Sequence, residues 1–327
     1  MKLNGFINES KREFLHHNNH KNLFNDSSST NLLILLLSQT MVSIEMSRIQ
    51  INYKIQNGID LFIETESSVT KLDISGRNVV EIDLSPLKDC TGLREIDLTG
   101  NWIRSIDLEP LESCLSLERL SLGSNLLSSI NLTPISSCTN LVTLSLEINN
   151  INRIDLSPLI NCIKLEEISL QSNQLHEIDL SSTSHNSLLR FLRLDNNKLL
   201  GIDLDPLSHC TKLQELFLEN NQLESLDLSP LGGCANLEGL WLRRTGLLSI
   251  DLLPLMNCTA LLWLDLSENM MKTIDISPLF YCQDIEKIMI DESVPLMADI
   301  SLKNEKWSPA IAIIHSRVFW IGNENSL

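Results

Sequence analysis

Aromatic residues make up only 5% of this 327-residue chain. Positive charge is scarce too: 25 Lys and Arg stand against 42 Asp and Glu, a formal net charge of −17. Binding to DNA, RNA or an anionic membrane is driven by Lys and Arg set against phosphates, so none of these is expected as a partner. A strongly acidic surface favours solubility and basic partners instead. No glycine-rich phosphate loop and no G-x-S-x-G elbow occur in the sequence, which argues against nucleotide chemistry and serine hydrolysis. No C-x-x-C pair occurs, which weakens any zinc reading. The apolar run Leu32–Leu37 is too short to span a bilayer. It lies late for a signal-peptide core, and no small-residue cleavage site follows it cleanly.

What the chain does have is a column of eight cysteines: Cys90, Cys114, Cys138, Cys162, Cys210, Cys234, Cys258 and Cys282. Neighbours are 24 residues apart, except for one gap of 48 in which Asn186 takes the place. Cysteines that recur with the chain's own period belong to a repeat. One unit reads Leu93-x-x-Ile96-x-Leu98-x-x-Asn101-x-Ile103-x-x-Ile106-Asp107-Leu108-x-Pro110-Leu111-x-x-Cys114. Units start at 69, 93, 117, 141, 165, 189, 213, 237 and 261, nine in all, with a partial tenth at Ile285.

The pattern LxxLxLxxNxLxxL resembles the leucine-rich repeat family, whose units run from about 20 to 29 residues. The shortness of the units resembles phosphatase-regulatory and internalin-like members. The resemblance implies an α/β solenoid, with a curved parallel sheet on the concave face and short helical turns on the convex face. The residues agree with it. The L-x-L segment alternates apolar and polar, as a strand with one buried face does. Asn101, Asn125, Asn149, Asn173, Asn197, Asn221 and Asn269 form a column whose buried amides can bond the backbones of adjacent rungs, with Arg77 and Thr245 departing from it. Ser-Pro-Leu, as in Ser85-Pro86-Leu87 and Ser229-Pro230-Leu231, predicts a helical turn with serine as N-cap and proline at the first position. One unit cannot bury its own face; stacking buries a continuous core. Nine rungs about 4.8 Å apart make a sheet roughly 45 Å long.

Three readings of the cysteine column compete: disulfides, a metal site, and packing. Packing with free thiols is expected, because cysteine is a small residue that suits cores. Free thiols in that number point to a reducing compartment, the cytoplasm. A second column runs Asp83, Asp107, Asp155, Asp179, Asp203, Asp227, Asp251 and Asp275, with Asn131 as a neutral substitute. It is expected to bond turn backbone and favour the positive helix end. A calcium ladder is the weaker alternative, since one carboxylate per rung supplies few ligands. His185 and His209 share one position of their units and His176 falls at another, so the three form no ligand set. No cofactor, metal site or catalytic residue is expected.

The ends depart from the repeat. Residues 1–45 read as a disordered tail or as sequence upstream of a true start at Met41 or Met46. Residues 46–68 are expected to form an N-terminal cap, 69–284 the nine repeats, and 285–327 the partial repeat and C-terminal cap. The C-terminal cap would use Ala310–Ile314 with Val318, Phe319 and Trp320. Unit 165–188 replaces the usual Pro, Leu and Cys by Ser182, Thr183 and Asn186, so its convex side is expected to be looser and less buried.

Function is sought on the strand face, where the x positions vary while the frame stays fixed. Small and polar residues dominate the first five rungs. From residue 189 onward, Phe191, Arg193, Phe217, Trp241, Arg243, Arg244 and Trp263 converge on adjacent rungs. Trp, other aromatics and Arg carry interface energy, and an exposed apolar patch marks a partner site. These residues are the candidate partner-binding set. The expectation is a monomeric, non-enzymatic scaffold or regulatory subunit that binds a protein with a basic surface. The alternative is a secreted or cell-surface adhesion protein, which needs Leu32–Leu37 to act in targeting.

Overall fold

A computed structural model describes residues 48–322. The readings placed on residues 1–45 and on Leu32–Leu37 lie outside the described residues. Strands β1 (Arg48–Ile55) and β2 (Asp60–Glu66) form an antiparallel hairpin. They are followed by β3 (Lys71–Asp73) and β4 (Val79–Ile82), of which β4 pairs with β1. The repeats then supply β5 (Glu95–Asp97), β6 (Arg119–Ser121), β7 (Thr143–Ser145) and β8 (Glu167–Ser169). They continue with β9 (Phe191–Arg193), β10 (Glu215–Phe217), β11 (Gly239–Trp241) and β12 (Trp263–Asp265). After these come β13 (Ile274–Asp275), β14 (Lys287–Met289), β15 (Leu296–Asp299), helix α1 (Pro309–Ile314) and β16 (Val318–Ile321).

Strands β3, β5 to β12 and β14 make one parallel sheet of 10 strands, each rung pairing with the next at the same position of the unit. The central residue of each repeat strand, such as Leu144 or Leu216, is fully buried. The flanking residues face outward. Behind the sheet, Leu, Ile and Cys from every rung form one continuous core. The asparagine column holds the rungs together: Asn197 donates from Nδ2 to Leu170 O and Leu194 O, both at 3.0 Å, and its Oδ1 accepts from Leu175 N at 3.0 Å. At Thr245 the hydroxyl substitutes, donating to Leu242 O at 2.9 Å.

Each rung returns through a five-residue 3₁₀ turn, such as Ser85–Asp89. Serine is not the cap there. The carboxylate of Asp83 accepts from Ser85 N at 2.9 Å, and Asp155, Asp179 and Asp227 do the same to Ser157, Ser181 and Ser229 at 2.8 Å. The serine is already inside the turn, so the aspartate two residues earlier reaches the free N–H. These bonds hold the Asp83, Asp155, Asp179 and Asp227 carboxyls below their ordinary range. The column is therefore structural.

All eight cysteines are free and buried. Their thiols point along the stack: Cys138 Sγ donates to Cys114 O at 3.6 Å, and Cys162 Sγ to Cys138 O at 3.5 Å. Burial pushes the Cys114, Cys210 and Cys258 thiols up to about 12.

Unit 165–188 is not less buried than its neighbours, contrary to expectation. Ser182 is 6% exposed, and Thr183 and Asn186 are 0%. Thr183 Oγ1 donates to Leu180 O at 2.7 Å, and Asn186 Nδ2 donates to Cys162 O at 2.8 Å in place of a thiol. The polar side chains keep the volume and bond the backbone, so the turn stays closed. The cost is local, because Ser182 Oγ and Asn186 Oδ1 are enclosed without partners. Toward the C-terminus, α1 packs on the last rungs, and its Ala310 N donates to Ile285 O at 3.2 Å. Trp320 sits with Phe280 at 5.9 Å and Trp307 at 6.2 Å between ring centres.

Candidate partner-binding face

The outward positions of the strands form columns across the sheet. One runs Glu167, Phe191, Glu215, Gly239, Trp263 and Lys287, and a second runs Ser169, Arg193, Phe217, Trp241, Asp265 and Met289. A third, two residues further on, runs Glu147, Gln171, Asp195, Glu219 and Arg243. The predicted set therefore spreads over these three columns, with Arg244 one residue beyond the third.

The tight group is Arg193, Phe217 and Trp241, stacked along β9, β10 and β11. The Phe217 and Trp241 rings lie parallel, 5.8 Å apart at 2°. The Arg193 guanidinium covers Phe217 at 4.6 Å and approaches Glu167 at 4.0 Å. Gly239 allows this arrangement. A Cβ there would stand 2.8 Å from Trp241 Nε1, so any side chain would push the indole off the sheet. Trp241 is half-buried, and its Nε1 is enclosed without an acceptor.

The other predicted residues sit around this stack. Phe191 lies in the first column under Arg190, whose guanidinium is 5.2 Å from its ring. Trp263 is half-buried beside Gly239 and Lys287 in the same column. Arg243 and Arg244 are exposed and both bond Glu268 on the next rung, Arg243 through Nε at 2.8 Å. That clamp holds the Glu268 carboxyl below its ordinary range.

The third column holds residues the sequence reading passed over. Burial pushes the Glu147, Asp195 and Glu219 carboxyls up, Glu219 to about 7. Glu147 Oε2, Gln171 Oε1 and Glu219 Oε2 are enclosed with no hydrogen-bond donor. Glu147 lies folded over Gly123, where a Cβ would collide with its carboxyl group. The available signal was the recurrence of an acid at 147, 195 and 219 with glycine at 123 and 239, in columns otherwise filled by side chains. The first rungs look different. Lys71 pairs with Glu95 at 2.8 Å, and Asp73 bonds Ser75 Oγ at 2.7 Å.

A parallel sheet of stacked, asparagine-pinned rungs returning through 3₁₀ turns defines a leucine-rich repeat solenoid. The chain belongs to the leucine-rich repeat family: six copies of the BspA type leucine rich repeat region match residues 58–190, and a second leucine rich repeat model matches 163–223. Among solved structures it is similar to an internalin, InlF, from Listeria monocytogenes, at 26% identity and a TM-score of 0.55, covering 74% of this chain and 73% of that one. It is also similar to the functional domain of InlJ from the same organism, which includes a cysteine ladder (18% identity, TM-score 0.36, covering 72% and 71%). A leucine-rich repeat protein of Leptospira interrogans matches at 16% identity and a TM-score of 0.47, covering 73% and 68%. No curated protein matches the sequence. Leucine-rich repeat proteins of this type work generally through protein–protein interaction.

Proposed function

We propose that this protein is a non-enzymatic scaffold or regulatory subunit that, as a monomer, holds a protein partner with a basic surface on its concave face. The observation that carries the reading is the Arg193–Phe217–Trp241 stack on the outward side of β9 to β11. Its rings are half-buried and lie outside the core behind the sheet. Aromatic and arginine anchors of this kind dominate interface energies. We place the protein in the cytoplasm, on the strength of eight free, buried thiols.

The test compares the intact chain with Trp241→Ala in partner capture, with Ser145→Ala on the polar rungs as control. Trp241→Ala should keep its melting temperature within a few degrees. It should weaken the captured partner by about 2 kcal/mol, roughly thirtyfold. Normal capture by a folded Trp241→Ala protein would move the site elsewhere, and unfolding would make Trp241 a core residue. A secreted or cell-surface adhesion role is the second reading, resting on the run Leu32–Leu37. Mass spectrometry of the mature N-terminus separates the two, because removal of that run would place the protein outside the cytoplasm.

A further inference from the structure

Around the stack, acceptors outnumber donors. Glu147, Glu167, Asp195, Glu219 and Asp265 act on one another or on Arg193, the guanidinium set among them. Arg243 lies near Glu219 and Asp265 but is held by Glu268. Three acceptor oxygens, on Glu147, Gln171 and Glu219, are enclosed with no donor, while Trp241 Nε1 and Arg193 Nε are donors with no hydrogen-bond acceptor. Enclosed polar atoms left in this state are costly, so complementary groups brought from outside gain more here than at a wet surface. The chain also displays the recognition mode within itself: the Arg193 guanidinium sits over the Phe217 ring at 4.6 Å with the Glu167 carboxylate 4.0 Å away. Stacking on an aromatic face beside a carboxylate suits a guanidinium.

We infer that the concave face takes a basic peptide segment of the partner, which lays an arginine or lysine side chain beside the Phe217–Trp241 pair among Asp195, Glu219 and Asp265 and offers a backbone carbonyl to Trp241 Nε1. This rests on the binding face proposed above and adds the partner's chemistry. It also makes recognition pH-dependent. Glu219 is faced by Asp195, Asp265, Arg193 and Arg243, and burial lifts its carboxyl to about 7. An arriving cation favours the ionised carboxylate, so binding releases a proton when the site begins protonated. Affinity should therefore fall as pH drops through 7, by up to about tenfold per unit for one coupled proton.

The test titrates the full chain by calorimetry with a blocked peptide of alternating glycine and arginine, and with the same peptide carrying citrulline in place of arginine. Citrulline keeps the shape and removes the charge. At pH 8 the arginine peptide should bind at least about tenfold more tightly than the citrulline peptide. Its affinity should decline between pH 8 and pH 5.5. Glu219→Gln should weaken binding at pH 8 and flatten the pH profile, and Trp241→Ala should weaken binding. Asp107→Asn removes the same charge on a turn, where Asn131 already stands in a sister rung, and should change neither. Equal binding of the citrulline peptide, a flat wild-type profile, or equal weakening by Asp107→Asn would overturn the inference. If Trp241→Ala abolishes partner capture while the arginine peptide is ignored, the binding face stands and this inference falls. If the peptide binds as expected while partner capture survives Trp241→Ala, the basic seat stands and the proposed partner face falls.

Discussion

The asparagine column and the carboxylate column run side by side along the solenoid, two residues apart in each rung, as in Glu147 and Asn149 or Glu219 and Asn221. Every hydrogen-bonding atom of the asparagine is used. Asn149 Nδ2 donates to Leu122 O and Leu146 O, and its Oδ1 accepts from Leu127 N at 2.9 Å. The carboxylates are the reverse: Glu147 and Glu219 each keep an enclosed oxygen with no donor. Both columns are polar and substantially buried. A saturated polar ladder holds the fold together, whereas an unsaturated one lowers stability and leaves groups for something else to complete.

The sharpest way to break that comparison is to cut the saturated ladder. Asn197→Ala would leave Leu175 N and two carbonyls unpaired inside the sheet, and should cost about 2–4 kcal/mol in urea denaturation. A cost under about 1 kcal/mol would mean that water or relaxation replaces the ladder.

Removing charge from the unsaturated column should act in the opposite direction. The Glu219 carboxyl is raised from 4.5 to about 7, so the folded protein holds a proton that the unfolded chain releases. Below about 4.5 both states are protonated and the acid costs nothing on this account. The penalty grows as pH rises and is complete above about 7. Glu219→Gln should therefore stabilise the protein by about 2–3 kcal/mol at pH 8 and have little effect at pH 4. Equal effects at both pH values would show that the carboxyl is not desolvated in the folded state.

Two smaller changes sharpen the contrast between regular and irregular rungs. Ile148 has φ +52° where sister rungs carry Gly100, Ser124, Asn196 or Asn220, and its side chain is 55% exposed. A β-branched residue in the left-handed region is strained, so Ile148→Asn should stabilise by about 1 kcal/mol in a thermal melt. No gain would mean that the isoleucine's contacts offset the strain. Asn186→Cys, which restores the column residue and removes an enclosed unpaired carbonyl, should stabilise by about 1 kcal/mol or less. A loss instead would show that the bond from Asn186 to Cys162 O outweighs its unpaired oxygen.

Much of the architecture was readable because a solenoid repeats its reasons. A 24-residue period with L-x-L, Asn and Cys at set places dictates one strand, one ladder and one packed return per rung. The capping residue was harder to read: Ser-Pro looks like a helix start, yet the 3₁₀ turn begins one residue earlier than an N-cap serine requires, and Asp83 does the bonding. Burial of Ser182, Thr183 and Asn186 was unreadable because composition does not show that neighbouring rungs hold a polar turn closed.

For the candidate face, the amino-acid sequence alone placed Arg193, Phe217 and Trp241 in one outward column, because residues one period apart must share it. It also required the fold, since only stacked units bury the leucines. The tertiary structure decided what those neighbours do. It brought the indole over Gly239, set the guanidinium on Phe217, drew Arg243 and Arg244 away to Glu268, and enclosed the carboxyl of Glu219. Ring tilt, ion-pair choice and desolvation depend on side-chain rotamers and on atoms from several rungs at once, whereas a repeat period specifies only which positions face the same way.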